Sequence, residues 1–475
     1  MNQTAVQKWV VWGGYRMHWM IILGIILGTW LHVSFWFWLT LSVSGLIVLW
    51  VFTHPYLWGW GVLTVVLAGS LWWGSTINMR YESIQQQVPD QMHDQVRIRS
   101  FPEETSQGFR YRVSIQEAFL YMTLESQYEY GEVVFVQSSV SIPEQPGIQR
   151  FLKGQNVHAY AFAEKEEYVR SDCFFVCYGY RAMYSVRQWM IDQLQIMYPR
   201  AGDFLQSILL GYRATLPEEL ETNFRQAGIS HILAISGYHV SLVVVVLYRW
   251  LRNLYWPRIW VFPLASVGIV SFVILTGASA STMRAGIFAL AILGAEFSGR
   301  FVAGIRPLIV CASGMLVFFP LFALYNVSFQ FSFLAVCGIM TFSHVFRRFS
   351  QGMSSVRIGD LIGETLSAQL FVAPLLLFHF GQVSLIALFS NLIIVPFIPF
   401  IMAYGVLSVG VYQIIAHRMV GLPLEYLLDA LFTVVRWLGS IPGAFLEIEI
   451  SWLGLGTMYG VIGGIWIIYK LKTVV

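Results

Sequence analysis

Ile229-Ser-His-Ile-Leu-Ala-Ile-Ser-Gly-Tyr-His-Val-Ser-Leu-Val-Val-Val-Val-Leu-Tyr248 contains no Asp, Glu, Lys or Arg. About twenty predominantly apolar residues are what a helix needs to cross the hydrocarbon core of a bilayer. The run reads as a membrane span, and it is one of many. Downstream, Ile259–Thr276, Thr282–Phe297, Pro307–Phe319, Phe322–Phe346, Leu366–Phe380, Ser384–Pro396, Phe400–Ile415 and Leu453–Tyr469 read the same way. Upstream, Met17–Leu31, Phe35–Phe52 and Leu57–Ile77 form a first group. A cleaved signal peptide has a single short apolar core, so three successive runs predict retained helices. Of the 475 residues, 57% are hydrophobic and 12% charged. Soluble domains carry about 25% charged residues, so this chain has too little charge to coat a soluble body of its size. The prediction is a polytopic α-helical membrane protein.

Between the two groups the pattern changes. From about Met79 to Tyr180, polar residues alternate with Val, Ile, Tyr and Phe in short runs. Gln95–Ser100, Arg110–Gln116, Gly131–Val140, Gln155–Phe162 and Cys173–Tyr178 have the period of strands. Five short strands in this length suit a small Greek-key barrel of the OB type; a small β-sandwich is the alternative. The insert holds nine Lys/Arg against fourteen Asp/Glu between Arg80 and Asp172. A surface that tracks phosphates is positive, so barrel shape alone does not mark a nucleic-acid binder. Residues 181–228 read as amphipathic helices at the membrane surface, with Phe204, Ile208 and Leu209 at helical spacing. Thr215-Leu-Pro-Glu218 has the spacing of a capping box. Leu422–Leu438 also reads as amphipathic. The expected order of parts is N-terminal helices (1–78), an inserted extracytoplasmic OB-like β-barrel (79–180), interfacial helices (181–228) and a membrane domain (229–475).

Chemistry is sparse. The sequence has no G-x-x-x-x-G-K-[ST], no H-E-x-x-H and no paired C-x-x-C, so neither a P-loop nucleotide nor a bound metal is expected. No cofactor is expected either. Four Cys exclude a disulfide framework. The densest polar group is His231, Ser236, Gly237 and His239, at the start of the quoted span. On one continuous helix His231 and His239 stand about 12 Å apart along the axis, too far to share an ion unless the helix breaks at Gly237. Ser236 and His239 are i,i+3 neighbours and leave open an intramembrane hydrolase, although no third orienting group is evident. Interhelical hydrogen bonding is the plainer reading. In Gly277-Ala-Ser-Ala-Ser-Thr-Met-Arg284-Ala-Gly286, small residues repeat every four and allow close backbone approach. Arg284 stands there as a cation facing a wet cavity or snorkelling. Asn326 and Gln330 share a helix face, and Asn391 precedes Pro396 and Pro399. Broken helices with polar residues are tolerated where they line a water-filled path.

At these residues the chain resembles the ComEC-type competence proteins. Gly211-Tyr-Arg-Ala-Thr-Leu-Pro-Glu-Glu-Leu220 and Phe224-Arg-Gln-Ala-Gly-Ile-Ser-His-Ile-Leu-Ala-Ile-Ser-Gly-Tyr-His-Val240 are similar to that family's signature. Ser281-Thr-Met-Arg284-Ala, Phe329-Gln-Phe-Ser-Phe333 and Asn391-Leu-Ile-Ile-Val-Pro396 are similar to its later membrane motifs. The resemblance implies a non-enzymatic channel that carries single-stranded DNA across the bacterial cytoplasmic membrane during natural transformation. His231, Ser236, Gly237, His239, Arg284, Gln330 and Asn391 are the channel candidates. It also implies membrane lipid, a DNA receptor, a separate nuclease and a cytoplasmic translocation ATPase as partners. Many relatives carry a further metallo-β-lactamase-like domain; with no H-x-H-x-D-H motif before Val475, nuclease activity is not expected here. A transporter of another polar substrate and an assembly scaffold are the remaining alternatives.

Orientation follows from Lys and Arg, which favour the cytoplasmic side. With the N-terminus inside, three spans put the insert outside. Arg249, Arg252 and Arg258 then fall inside, as do Arg300 with Arg306, Arg347 with Arg348 and Arg357, and finally Lys470 and Lys472. A cysteine placed at Gln107 should therefore react with an impermeant maleimide added to intact cells, and one at Thr473 only after permeabilisation. Labelling of Thr473 from outside would reverse the orientation.

Overall fold

A computed structural model of the chain describes residues 21–26, 57–105, 107–115, 118–171, 175–213, 215–254, 257–299, 306–349, 356–442 and 444–474. Residues 21–26 are helical; the rest of the expected spans Met17–Leu31 and Phe35–Phe52 lies outside the described residues. The chain divides into two compact units, with the divisions at Ala182/Met183, Leu293/Gly294 and Gln330/Phe331.

In the first unit, helix Leu57–Gln87 leads into six strands: β1 (Gln91–Ile98), β2 (Glu103–Thr105), β3 (Gly108–Ile115), β4 (Ala118–Leu124), β5 (Glu132–Ser141) and β6 (Ala159–Ser171). The sheet runs β1-β5-β6-β4-β3, and β3 pairs back onto β1 at Arg97↔Ser114 and Ile98↔Val113. That closes a five-stranded barrel, with β2 added to β3 at its margin. All pairings are antiparallel except β4 with β6. Closed pairing of this order is the OB-like arrangement. Closure follows from alternation: Val96, Ile98, Tyr111, Val113, Leu120, Met122, Val134 and Val136 are at most 1% exposed, with outward neighbours except at the irregularity in β5 where Val133 is buried beside Val134. Tyr111 hides a phenol inside, and its oxygen accepts the Tyr128 N–H at 2.7 Å, as a buried polar group requires.

Some expected strands are corrected. The run Cys173–Tyr178 has the composition of a strand, but residues 175–178 open the helix Phe175–Met197. Its aromatic and β-branched start continues into a helical period that buries Arg187, Ile191, Leu194 and Met197, and the longer pattern wins. Gln155–Phe162 is divided: Gln155 ends the helix Pro146–Gln155, Asn156 turns the chain at φ 54°, and β6 begins at Ala159. Strand β4 and that helix were not expected.

The helix Pro146–Gln155 packs on the short helix Phe322–Tyr325, Gly154 lying against the Tyr325 carbonyl. Asn326 fixes the joint. Its Nδ2 donates to the Gly154 carbonyl at 2.9 Å, and its Oδ1 accepts the Phe329 N–H at 2.8 Å, opening helix Val327–Phe349. The expected span Phe322–Phe346 is thus interrupted at Asn326.

The second unit is built on a core of Leu194, Phe204, Leu205, Ile208, Phe224, Ile401, Leu428 and Val435, all at most 1% exposed. Helix Leu422–Gly439 buries Leu424, Leu428, Leu431, Val435 and Leu438, a stripe at helical spacing. Each such side chain contributes about 1.5–3 kcal/mol when fully buried. Helix Gly202–Leu210 departs from the amphipathic reading: of its nine residues only Asp203 is not buried. The capping box at Thr215 does not form either. Pro217 caps the helix Glu218–Gln226 without a side-chain bond, while Glu218, Glu219 and Glu221 sit favourably in its first turn.

Among the described residues, four segments are long and apolar enough to cross a membrane: Val327–Phe346, Gly359–Phe380, Ala387–Ile415 and Trp452–Tyr469. The third joins two expected spans, through a 3₁₀ turn at Val395–Phe397 beside the two prolines. Ile259–Leu275 and Pro307–Phe318 are shorter apolar helices.

A methyl group at position 154 would meet the backbone of Tyr325 and Asn326, and overpacking against backbone costs about 1–3 kcal/mol. Gly154→Ala should lower the thermal midpoint of the detergent-solubilised protein. Gly147→Ala, on the same helix but in open space, should leave it within the small range of a surface change.

Candidate functional site

The quoted run Ile229–Tyr248 is not one helix. Gly228, at φ 75°, turns the chain after Glu218–Gln226, and a Cβ there would lie 2.5 Å from the Ala387 Cβ and 2.7 Å from the Ser384 Cβ. Only glycine meets both demands. One turn of helix follows, Ser230–Leu233. Ala234 is then extended (φ −94°, ψ 141°), Ser236 is extended too (φ −105°, ψ 172°), and helix Gly237–Asn253 begins.

A break of this kind frees backbone groups, and two of them are met by side chains. Arg213 Nε donates to the Leu233 carbonyl at 3.0 Å. The Ser236 N–H donates to His239 Nδ1 at 3.0 Å, and the Ser236 hydroxyl stands 3.1 Å from the same nitrogen. His239 thus fills the place of the Glu or Gln in a capping box. Because Nδ1 accepts a backbone N–H, the ring proton sits on Nε2. That atom is buried and has no hydrogen-bond partner among the described residues.

This geometry bears on the hydrolase alternative. A general base needs a lone pair free to take the serine proton and a group behind it to orient the ring. Here the Nδ1 lone pair is already shared with the Ser236 amide, and among the described residues Nε2 meets no carboxylate. The pair is arranged as a cap. His231 lies on the single turn before the break and His239 on the helix after it. Among the described residues, however, no group of three or more His, Cys, Asp or Glu is placed to hold a metal ion.

Arg284 lies beside this motif in sequence-distant chain. Gly237 packs toward Ala285, whose Cβ is 3.9 Å from where a Cβ of Gly237 would stand. Arg284 is 4% exposed on helix Ala280–Phe297, which Ser279 opens by accepting the Thr282 N–H at 3.3 Å. Gly286 brings this helix against Val273, on helix Arg258–Leu275. Gly277 (φ 80°) and Ala278 (φ 49°) make the tight turn between the two.

Of the other candidates, Asn391 lies on Ala387–Ile394, the helix whose first residue packs on Gly228; its Oδ1 is buried without a partner among the described residues. Gln330 belongs to the first unit. Its amide donates to the carbonyls of Ala323 (3.0 Å) and Leu324 (2.9 Å), closing the end of the helix Phe322–Tyr325.

Sequence reasoning missed Arg187. It is 7% exposed, its guanidinium 5.8 Å from the centroid of the Tyr212 ring. Its Nη1 lies 3.3 Å from where a Cβ of Gly277 would be. Gly211 (φ 68°) meets the Thr276 carbonyl and Ile235 just alongside. Three irregular stretches, at Gly211–Arg213, Leu233–Ser236 and Thr276–Ala278, therefore meet around two arginines. Gly211 and Gly277 stand in the quoted motifs, but nothing in their spacing names Arg187 as the partner.

Residues 208–473 match the competence protein family. The chain belongs to that family. It is 28% identical over 210 residues to ComE operon protein 3 of Bacillus subtilis, a match covering 44% of this chain and 26% of that protein. It is 28% identical over 313 residues to an uncharacterized protein of Aquifex aeolicus, covering 56% of this chain and 72% of that one. It is 30% identical over 108 residues to competence protein ComA of Neisseria gonorrhoeae, covering 21% and 16%. The chain thus spans well under two thirds of the two relatives named for competence. No solved structure matches it.

The cap predicts a pattern of stabilities. His239→Ala removes the acceptor for the Ser236 N–H and should cost about 1 kcal/mol. His239→Gln, which supplies the usual capping-box acceptor, should recover most of that loss. Thermal denaturation of the three proteins at one detergent concentration checks it, and equal destabilisation in both variants would reject the cap.

Proposed function

We propose that this integral membrane protein forms the path by which single-stranded DNA crosses the bacterial cytoplasmic membrane during natural transformation. Membership of the competence family supports the role, four described helices of spanning length support a multi-pass arrangement, and the Lys/Arg pattern of the connections supports cytoplasmic termini. The observation that carries the reading is the broken helix at Ala234–Ser236, packed through Gly237 on the helix that holds Arg284. Irregular backbone in a membrane domain is tolerated where it is enclosed in protein or lines a wet path. A buried arginine beside it supplies a cation for phosphate. Ser236, Gly237, His239, Arg284 and Asn391 are the proposed path residues, with His231 at its edge and Gln330 shaping the first unit. A DNA receptor, a nuclease that removes the other strand and a cytoplasmic ATPase are the partners this role requires, with lipid around the helices.

The second reading is an intramembrane hydrolase using Ser236 and His239, favoured by their 3.1 Å approach. Glutamine at position 239 caps but has no basic nitrogen. DNA uptake that survives His239→Gln at normal abundance therefore rejects catalysis by His239.

Arg284 gives the main test. Arg284 stands five residues into its helix and is 4% exposed, and a buried cation needs compensation. In cells deleted for the gene and complemented, Arg284→Leu should abolish uptake of labelled DNA at matched protein level. Arg284→Lys should keep part of it, as a point charge without the bidentate fork. Normal uptake by the Leu variant would remove Arg284 from the path.

A further inference from the structure

Helix Leu57–Gln87 outruns the hydrocarbon core of a bilayer. Its 31 residues rise about 46 Å at 1.5 Å each, against a core of about 30 Å. The apolar part ends at Ile77, and Asn78-Met-Arg-Tyr-Glu-Ser-Ile-Gln-Gln-Gln87 carries the helix on to the barrel. Trp73 marks the boundary, where indole rings gather. Its Nε1 donates to the Val317 carbonyl at 2.8 Å, one residue before helix Arg306–Phe318 ends. Two apolar helices of the first unit therefore finish at one level.

A cleft of about 240 Å³ opens at that level. Ile77, Ile84, Phe318, Phe319 and Leu321 give it an apolar lining, and Arg80, Asn156 and His158 supply polar groups. Pockets that enclose a drug-sized ligand measure about 300–1,000 Å³. This one suits a single end of an amphiphile whose remainder lies outside. Phe318 is 79% exposed and Phe319 40%, so the protein leaves the apolar side uncovered.

The polar side is rigid and short of an acceptor. His158 is 2% exposed. Its ring stacks on Tyr81 with centroids 4.6 Å apart at 21°, and the Gln85 amide donates to its carbonyl at 3.0 Å. The Phe119 carbonyl takes the His158 backbone N–H at 2.7 Å, so the ring Nδ1 accepts the Phe119 N–H at 3.1 Å. The ring proton is therefore on Nε2, a buried donor with no partner among the described residues. Native folds rarely leave such a group unmet. Burial lowers the imidazole pKa, so the ring is neutral at pH 7 with that one N–H to give. Cations stand around it. Arg80 is exposed at the cleft, Arg112 Nη2 donates to the Asn156 carbonyl at 3.3 Å, and Lys153 pairs with Glu82 at 2.8 Å, 5.4 Å from the Tyr81 centroid.

We propose that this cleft binds the phosphate of an anionic phospholipid from the leaflet on the barrel side, held by Arg80 and the His158 Nε2–H, with the acyl chains leaving past Phe318 and Phe319. A phosphodiester answers both halves of the cleft. Its oxygens form charge-assisted bonds with a guanidinium and a buried donor, and its chains cover apolar rings that a soluble anion would leave wet. A choline headgroup would bring a second cation beside Arg80, so an anionic lipid is preferred. Bound there, the lipid ties the foot of the barrel to the ends of helices Leu57–Gln87 and Arg306–Phe318. The site does not depend on what crosses the membrane.

The test titrates the full chain, stripped of lipid in detergent, with dioctanoyl-phosphatidylglycerol while its thermal midpoint is read. The midpoint should rise saturably, as a ligand of the folded state requires. Arg80→Gln should raise the half-saturating concentration about tenfold, the scale of one charge-assisted hydrogen bond. His158→Phe keeps a ring over Tyr81 but removes the donor, and should weaken the lipid by a similar factor. Phe319→Ala should weaken it about threefold through lost apolar contact. Arg80→Gln and Phe319→Ala change exposed side chains, so the test holds even where His158→Phe folds poorly. Lys165→Gln, beside Glu164 and Glu166, should change nothing. Dioctanoyl-phosphatidylcholine should half-saturate at a higher concentration. Glycerol 3-phosphate and inorganic phosphate, which have no chains, should need about a hundredfold more. Equal half-saturation in the unmodified chain and Arg80→Gln would overturn the site. Inorganic phosphate as effective as the lipid would make it an anion site without lipid and overturn the proposal as well. So would phosphatidylcholine matching phosphatidylglycerol in every variant, the mark of a general amphiphile effect.

Discussion

A backbone that leaves the helix inside an apolar body must find partners for every group it frees, because an unpaired amide there costs far more than the net worth of one hydrogen bond. The organisation around Leu233–Ser236 follows from that constraint. Arg213 takes the carbonyl at the end of the single turn Ser230–Leu233, and His239 takes the amide that begins the next helix. With both ends tied, an extended linker persists between two helical pieces. A histidine whose Nδ1 accepts that amide stands at a position usually given to Glu or Gln: it caps without adding a negative charge.

Holding a linker in place also requires that other chain segments come close to it, and here glycine decides. Gly228 lets the chain pass Ala387 and Ser384 with no room for a methyl group, and Gly211 lets the chain pass Thr276 and Ile235. Gly277 leaves space for the guanidinium of Arg187. Each is at positive φ, so conformation and close approach are demanded together. Arg187, spread over the Tyr212 ring, fills the space between these turns with a cation that is still planar enough to pack. The arginines and glycines form one device, in which the second makes room for the first.

Much of this organisation is legible in the sequence. Apolar run length gives the membrane class, since bilayer thickness fixes that number, and period-two alternation finds three of the barrel strands. The misreadings share one cause: a short window outweighs its surroundings. Phe-Val-Cys-Tyr looks like a strand until the helical period beyond it is counted. Ile229–Tyr248 looks like one span because apolar composition does not record a break, and Ala234 is a good helix former in the extended state here. Pairings between distant segments are out of reach altogether. Nothing in the sequence of helix Phe175–Met197 says that Arg187 will meet Gly277, because that contact is set by how three loops pack.

Net charge fails for a related reason. The count of nine bases against fourteen acids averages over a closed surface, while a ligand meets one face at a time. Electrostatic attraction between exposed charges fades over about 10 Å at moderate salt. Arg97, Arg110 and Arg112 stand on the paired strands β1 and β3, whereas Glu164 and Glu167 stand on β6. Closing the sheet is what separates them: pairing β1 with β3 carries Arg97 next to Ser114 and gathers arginines from two strands on one wall. In an open, flat sheet the same residues would lie at opposite margins. Topology, more than composition, makes the face positive.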